Sequence, residues 1–136
     1  MDYTVIPTAS ECKDSKVVVN FALGADVKKV KYNVYEGELT SKEIRGKVNL
    51  IGAGEEKADS LVFEGTTPEA AEITVQCEKT GIYTIVAVSF DKAKDGEMKS
   101  SGSTPFGFFL PEEKEKVEID FIAGLEDTPA RYAKDG

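Results

Sequence analysis

The sequence predicts an all-β fold: a seven-stranded antiparallel β-sandwich with a short helix inserted after the third strand. Apolar and polar residues alternate over several short runs, turn-forming residues separate these runs, and no long helical pattern interrupts them. With 136 residues, 40% of them hydrophobic and 31% charged, the chain is large enough for one hydrophobic core. We expect the sandwich to occupy residues 1–110.

The first three strands are predicted from alternation. Residues 3–11 are taken as the first strand, and residues 16–23 (KVVVNFAL) and 27–36 (VKKVKYNVYE) as the second and third. The inward positions of the second and third strands are Val17, Val19, Phe21, Val30, Tyr32 and Val34. Because Lys29 and Lys31 alternate with these positions, the opposite face of the third strand is expected to meet water.

A short helix is predicted to follow the third strand. Thr40 and Glu43 have the spacing of a capping box, in which a hydroxyl and a carboxylate each satisfy a backbone N–H of the first turn. The helix should extend to about residue 50. Gly46 weakens it, and the Gly52-Ala53-Gly54 run ends it.

Four further strands are predicted in the second half of the chain. They are residues 61–63, 71–77, 82–90 and 98–110. Pro105 lies in the last of them and has no backbone N–H, so that strand is expected at a sheet edge or a bulge. In the same strand Phe106, Phe108 and Leu110 share the inward face, which leaves Phe109 as an outward ring.

The C-terminal residues 111–136 differ in character from the rest. They begin as a charged connector, and residues 117–124 (VEIDFIAG) alternate like another strand. Thr128 and Pro129 then offer a helix cap and a first helical residue. Two interpretations stay open: an extra strand and turn of the same sandwich, or the start of a following domain.

The charge and the residue types exclude several functions. The chain has 17 basic and 25 acidic residues, a net charge of −8, which would repel a phosphate backbone, so no nucleic-acid partner is expected. It contains no histidine, the usual general base near neutral pH and a common zinc ligand. We therefore predict that the protein is not an enzyme and holds no cofactor.

Two groups of acidic residues could in principle supply oxygen ligands to a metal ion. Asp91, Asp95 and Glu97 lie in one turn, but their spacing does not match a calcium-binding loop and lysines lie between them. Residues 55–59 hold three acids, again beside a lysine. We interpret the first group as a solvated hairpin tip and the second as a solvated face. No metal site is predicted.

One stretch carries a family resemblance. Cys77, Lys79, Gly81 and Tyr83 resemble, in their spacing, the corner before the sixth strand of fibronectin type III-like (immunoglobulin-like) domains. The usual residues there are an apolar residue, a proline, a small polar residue and a tyrosine, so Lys79 and Gly81 depart from the pattern. The resemblance implies that Tyr83 is the structural corner, with its ring under the turn and its hydroxyl bonded to a nearby backbone group.

A wider resemblance suggests a biological context. The string GADVKKVKYNVYEGELT, with TGIYTIVAVSFD later, is similar to a module found near the N-terminus of Bacteroidetes surface lipoproteins of unknown function. It covers roughly residues 3–110. The resemblance implies a secreted protein at the cell surface or outer membrane, held by a lipid anchor that lies outside this chain. No run of about 20 apolar residues that could span a bilayer is present.

The two cysteines test that context. In a fibronectin-like topology, the loops that hold Cys12 and Cys77 lie at the same end of the sandwich, and a disulfide would close a loop of about 64 residues worth about 4 kcal/mol. Such a bond requires an oxidising compartment. The alternative is a small buried residue at Cys77 and a free thiol at Cys12. Both alternatives stay open.

Two functions remain open. The first is a noncatalytic interaction or spacer module of a secreted, cell-surface-anchored protein, with an unidentified protein or glycan partner. The second is a carbohydrate-binding module of a glycan-utilisation or adhesion protein. The sequence has no tryptophan, so sugar stacking would fall to the aromatic residues Tyr3, Tyr32, Tyr35 and Phe63. We expect a monomer, because lysine-bearing strands disfavour edge-to-edge pairing.

Overall fold

A computed structural model of the chain describes residues 1–111. The strand predicted at residues 117–124, the helix start at residues 128–129 and nearly all of the C-terminal segment lie outside these residues. The described elements, in chain order, are β1 (Val5–Ala9), β2 (Val17–Leu23), β3 (Lys29–Glu36), α1 (Ser41–Gly52), β4 (Asp59–Val62), β5 (Ala70–Val75), β6 (Gly81–Phe90) and β7 (Met98–Phe108).

The strands form two antiparallel sheets. One has the order β1-β2-β5, and the other has the order β4-β3-β6-β7. In the first sheet Val19 lies opposite Ile73, and in the second Tyr32 lies opposite both Asp59 and Ala87. The predicted all-β class with one helix is confirmed. The two sheets have the arrangement of a β-sandwich.

A single hydrophobic core joins the facing sides of the two sheets. Alternation in β2 buries Val17, Val19 and Phe21 completely, as predicted. The second sheet contributes Val30, Tyr83, Ile85, Ala87, Phe106 and Phe108 to the same cluster. Burial of these apolar side chains is the main stabilising contribution to the fold.

The helix α1 adds a third layer. It begins at the N-cap Thr40, whose side chain accepts a hydrogen bond from the Glu43 N–H, while the Glu43 carboxylate accepts one from the Thr40 N–H. The predicted capping box is therefore confirmed. Its apolar stripe packs on the outer face of the four-stranded sheet, where it forms a second core of Ile51, Val86, Val88 and Phe90.

The third layer corrects one expectation. The outer face of β3 was predicted to meet water, but Lys31, Asn33 and Tyr35 on that face are only partly exposed. The reason is that α1 lies over the same face, and Tyr35 packs against its second core. For the same reason β6 is buried on both faces from Tyr83 to Phe90, although strict alternation would leave every second residue in water.

The last strand follows the prediction closely. β7 is an edge strand beside β6, which accounts for Pro105, since a proline lacks the N–H that a central strand would need. Phe106 and Phe108 are buried, whereas Phe109 is 59% exposed and is the outward ring expected there. The hairpin at residues 91–97 is closed by Asp91, which accepts a hydrogen bond from the Glu97 N–H at 2.7 Å.

Candidate functional site

A polar cleft opens between the two sheets on the side of β5. It has a volume of about 240 Å³ and lies between the β3–β4 pair and the edge strand β5. Its lining residues are Tyr32, Asn33, Val34, Asp59, Ile73, Thr74, Val75 and Gln76. We call it the inter-sheet cleft. Its position makes both an aromatic ring and several hydrogen-bonding groups reachable from solvent.

The pairing of the short strand β4 explains why the cleft is open. β4 pairs only with the first half of β3, from Lys29 to Tyr32, and leaves the rest of β3 uncovered on that side. β5 pairs with β2 alone, so its other edge carries no strand among the described residues. Two sheet edges therefore face each other across a gap.

The polar groups of the cleft differ in how far the protein already satisfies them. The Asn33 amide donates to the Glu56 carboxylate at 2.8 Å and to the Lys57 carbonyl at 3.0 Å. In contrast, the side chains of Tyr32, Asp59, Thr74 and Gln76 make no hydrogen bond to the described residues. These four side chains are therefore the groups that a bound ligand could engage.

The electrostatics of the cleft keep Tyr32 neutral. Burial, and then the negative charge of Asp59, raise the pKa of the Tyr32 hydroxyl above its ordinary value. Tyr32 is consequently a hydrogen-bond donor and acceptor at neutral pH, and Asp59 is the charged acceptor beside it. The Tyr32 ring also packs at 5.6 Å, centroid to centroid, from Phe21, so part of its surface belongs to the core.

The aromatic residues considered for sugar stacking do not meet at one place. Tyr32 alone of the four lines the inter-sheet cleft. Tyr35 lies under α1, Phe63 packs against the main core, and Tyr3 lies beneath the Lys99 ammonium at 5.6 Å from the ring centroid. A continuous aromatic platform built from these four rings is therefore not present.

Tyr83 has the contacts that a corner tyrosine requires. Its hydroxyl donates to the Lys79 carbonyl at 2.6 Å, and its ring stacks on Phe106 at 5.9 Å between centroids. Burial is the first cause that raises the pKa of this hydroxyl, and the negative potential of Cys77 and Glu36 adds to it. The hydroxyl is therefore a neutral donor that ties the β5–β6 turn to the core.

The Tyr83→Phe variant should lose this bond and keep the ring. We expect the free energy of unfolding to fall by about 0.5–1.5 kcal/mol, the usual net value of one hydrogen bond. Chemical denaturation monitored by circular dichroism measures the change. The matched control is Tyr3→Phe, because within residues 1–111 the Tyr3 hydroxyl makes one hydrogen bond, to the exposed Met1 sulfur. Equal stability of Tyr83→Phe and the parent protein would show that the Tyr83 hydroxyl has no structural role.

The two cysteines are thiols in this structure. The Cys12 sulfur lies 3.3 Å from the Phe109 nitrogen and 3.6 Å from its carbonyl oxygen, and both cysteines pack against the main core. Burial, opposed by a hydrogen bond with Tyr83, raises the pKa of the Cys77 thiol, and the neighbouring Cys12 contributes in the same direction. The disulfide between them stays a prediction.

A polar network holds α1 on the sheet, and it corrects the interpretation of the acids at residues 55–59. Glu56 was expected on a solvated face, but its carboxylate accepts hydrogen bonds from the Tyr35 hydroxyl and the Asn33 amide. The Lys47 ammonium on α1 lies 3.7 Å from the same carboxylate and 4.7 Å from the Tyr35 ring centroid. Sequence reasoning missed Glu56 because nothing in the chain shows which acid meets the sheet.

The network shifts the pKa values of Glu56 and Tyr35 in opposite directions. The Tyr35 hydroxyl, followed by the Asn33 amide, lowers the pKa of Glu56 despite some burial. Burial and the Glu56 carboxylate raise the pKa of Tyr35. Glu56 is thus ionised and Tyr35 neutral across the physiological range, so each supports the charge state of the other.

This network predicts a dependence of stability on pH. Because the folded-state pKa of Glu56 is below its unfolded value, its contribution is fully present above the unfolded pKa of about 4.3 and is lost as the pH falls through the folded pKa. Glu56→Gln should destabilise the protein by about 1–2 kcal/mol at neutral pH. It should also reduce the loss of stability that the parent protein shows at acid pH. Denaturation curves between neutral and acid pH measure both effects.

Glu55→Gln is the matched control for this experiment, because Glu55 is the exposed neighbouring residue. It should leave both the stability and its dependence on pH close to those of the parent protein. Equal acid losses of stability in Glu56→Gln and Glu55→Gln would contradict the assignment of the network.

Two acidic residues of the turn at residues 91–97 make structural contacts. Lys99 lies 3.1 Å from the Glu97 carboxylate and 3.9 Å from that of Asp91. Among the residues that the structure describes, no group of three or more acids, cysteines or histidines is arranged to hold a metal ion. No helix within residues 1–111 is long and apolar enough to cross a bilayer.

Comparison with known proteins assigns no family to this arrangement. No protein-family model matches the chain, and a search of curated proteins finds no significant relative. The inter-sheet cleft and the strand pairing around it are therefore the basis of the functional proposal.

Proposed function

We propose that this chain is a noncatalytic interaction module of a secreted, cell-surface-anchored protein, and that it binds its partner through the inter-sheet cleft. The observation that carries the proposal is the cleft itself, in which Tyr32, Asp59 and Gln76 present unused hydrogen-bonding groups beside a free sheet edge. This favours an interaction module over a passive spacer. A partner that pairs with these groups recovers hydrogen bonds that water otherwise supplies.

The strand order supports a fibronectin type III-like fold. In the constant-type immunoglobulin arrangement the fourth strand pairs with the fifth. Here β4 pairs with β3, which gives sheets of three and four strands. The hydroxyl of Tyr83, which bonds to Lys79 four residues earlier, agrees with the tyrosine corner of such domains. We assign the module to this fold on the strand pairing and the corner together.

The free edge of β5 suits an extended segment of a partner protein. An unpaired strand edge presents backbone N–H and C=O groups that another strand can use, and neighbouring pockets then select side chains. β5 and the residue that follows it present Glu72, Thr74 and Gln76 as exposed side chains. The chemistry of the cleft therefore favours a polar or positively charged side chain opposite Asp59.

Photo-crosslinking tests the interaction role. A photoreactive residue at Gln76 should join the protein to one partner on the surface of the cells that produce it, and the same residue at Ile6 should not. Ile6 is 53% exposed and lies on β1, with β2 between it and β5. Equal adducts from both positions, or turnover of any surface glycan or peptide by the purified protein, would contradict the proposal.

Carbohydrate binding is the second candidate, and the same cleft favours it. A tyrosine hydroxyl, a carboxylate and an amide in one solvent-open cleft are groups that hydrogen-bond sugar hydroxyls. An oligosaccharide array followed by amide NMR titration distinguishes the two. A sugar ligand should shift the resonances of Asp59 and Gln76, and Asp59→Asn should weaken it while Glu72→Gln should not. An array without binders leaves the protein-interaction role.

The cellular location is proposed from the resemblance to Bacteroidetes surface lipoproteins. The module would be displayed outside the cell by a lipid anchor, and the Cys12–Cys77 disulfide would then have an oxidising compartment. Thiol titration of the unreduced, denatured protein tests this bond. Protein purified from the producing cells should give no free thiol, and two free thiols would overturn the disulfide.

A further inference from the structure

A second groove lies on the opposite side of the four-stranded sheet, where α1 ends. It has a volume of about 290 Å³ and is lined by Lys29, Lys31, Phe90, the Gly52-Ala53-Gly54 run and the hairpin residues 94–96. We call it the lysine groove. It shares no lining residue with the inter-sheet cleft and is not used by the function proposed above.

The fold concentrates positive charge in this groove. Lys29 and Lys31 alternate with the buried Val30, so both project from the outer face of β3, just beyond the end of α1. The hairpin between β6 and β7 brings Lys94 to the same groove. Asp95 is the one acidic residue in the lining, so the groove is locally cationic on a chain whose net charge is −8.

The protein does not use these three ammonium groups for ion pairs within the described residues. The salt bridges there involve Lys47, Lys79 and Lys99 instead. The Lys31 ammonium lies 5.5 Å from the Phe90 ring centroid, a cation–π contact that leaves it without an anionic partner. All three ammonium groups can therefore pair with an anion.

The end of α1 does not account for the lysines either. Three of its last four carbonyls are already hydrogen-bonded by backbone groups: Asn49 and Ile51 accept from Ala53 and Gly54, and Leu50 accepts from Glu55. These three carbonyls thus need no lysine cap. In addition, a Cβ at Gly54 would meet no other atom within 4 Å, so no packed side chain fills the space beside this residue.

We propose that the lysine groove binds the anionic head of a phosphate or sulfate ester. Such a group has several oxygens that can accept hydrogen bonds from more than one ammonium at once. The groove is large enough for the anion and part of the group that it esterifies, and the apolar ring of Phe90 lies at its wall. The attraction is electrostatic and weakens as the salt concentration rises.

Amide NMR titration of the full chain with methyl phosphate and, separately, methyl sulfate tests this site at constant ionic strength. We expect saturable shifts of the resonances of Lys31 and Gly96 with at least one of the two. Binding of methyl phosphate alone identifies a phosphate ester as the ligand class, and binding of methyl sulfate alone identifies a sulfate ester. Shifts that do not saturate with either anion would overturn the proposal.

Charge-removing variants identify the residues. Lys31→Met and Lys94→Met should each weaken binding by about threefold or more, and Lys42→Met, on the exposed surface of α1, should not change it. Lys94→Met lies in an exposed hairpin and leaves the core intact, so its effect is not a folding defect. Equal affinities in Lys94→Met, Lys42→Met and the parent protein would contradict the assignment.

Discussion

Replacing Ile51 with alanine is expected to lower the free energy of unfolding by about 2–5 kcal/mol. Ile51 on α1 is completely buried against Val86, Val88 and Phe90, on the sheet face that faces away from the main core. Truncation would leave a cavity between the helix and the sheet, which neighbouring side chains can fill only in part. Equilibrium denaturation of the variant and the parent protein gives the difference.

The control for this change is Ile82→Ala in β6. Ile82 has the same side chain but is 53% exposed, so its truncation should cost less than about 1 kcal/mol. If Ile51→Ala and Ile82→Ala were equally mild, α1 would not cover the sheet, and the three-layer description would be wrong. A large effect at Ile51 alone establishes the third layer energetically.

Gly102→Ala should destabilise the protein by about 1–3 kcal/mol. β7 passes so close to β1 at this position that a Cβ on Gly102 would overlap the Val5 carbonyl oxygen and crowd the Pro7 ring. Backbone atoms cannot rotate away as a flexible side chain can, so the two strands must separate. Thermal and chemical denaturation report the loss.

Gly107→Ala in the same strand is the matched control. A Cβ there would meet only the side chains of Phe109 and Ile82, at ordinary contact distances of 3.7 and 3.9 Å. It should change stability by no more than about 0.5 kcal/mol. A Gly102→Ala protein as stable as the parent would show that β1 does not approach β7 this closely. The two sheets would then be less tightly closed on that side than described.

Much of the fold could be predicted from local patterns. Alternation in β2 identified Val17, Val19 and Phe21 as inward, and the spacing of Thr40 and Glu43 located the start of α1. Both signals depend on residues close in the chain, where periodicity and capping act directly. The position of Pro105 likewise indicated a sheet edge or a bulge, because a proline has no backbone N–H to donate.

Other features depend on which distant elements meet, and a single sequence does not contain that information. Alternation in β3 predicts that its whole outer face meets water, because nothing local shows that α1 folds back over the end that holds Tyr35. The uninterrupted apolar run from Ile85 to Val88 in β6 was the one available sign that both faces of this strand are covered. The network around Glu56 follows from the same docking.

In the candidate sites too, the sequence identifies single residues, and only the fold shows which of them meet. Tyr32 was identified among four aromatic residues, but only the pairing of β4 with β3 places it beside Asp59, and only the packing of the two sheets brings Gln76 to the same cleft. Lys94 was recognised as a hairpin residue, but the groove that it shares with Lys29 and Lys31 exists only after β6 and β7 pair. Both sites join residues that lie far apart in the chain.

The pairing of β4 is the point on which the proposed function depends, because a β4 that paired with β5 would fill the inter-sheet cleft. Cross-strand nuclear Overhauser effects in the isotope-labelled full chain measure it most directly. If β4 pairs with β3, contacts appear between the backbones of Lys31 and Ser60 and between those of Tyr32 and Asp59. Contacts of Ser60 with Thr74 or Ile73 of β5 instead would contradict it, and the cleft could not be the binding surface.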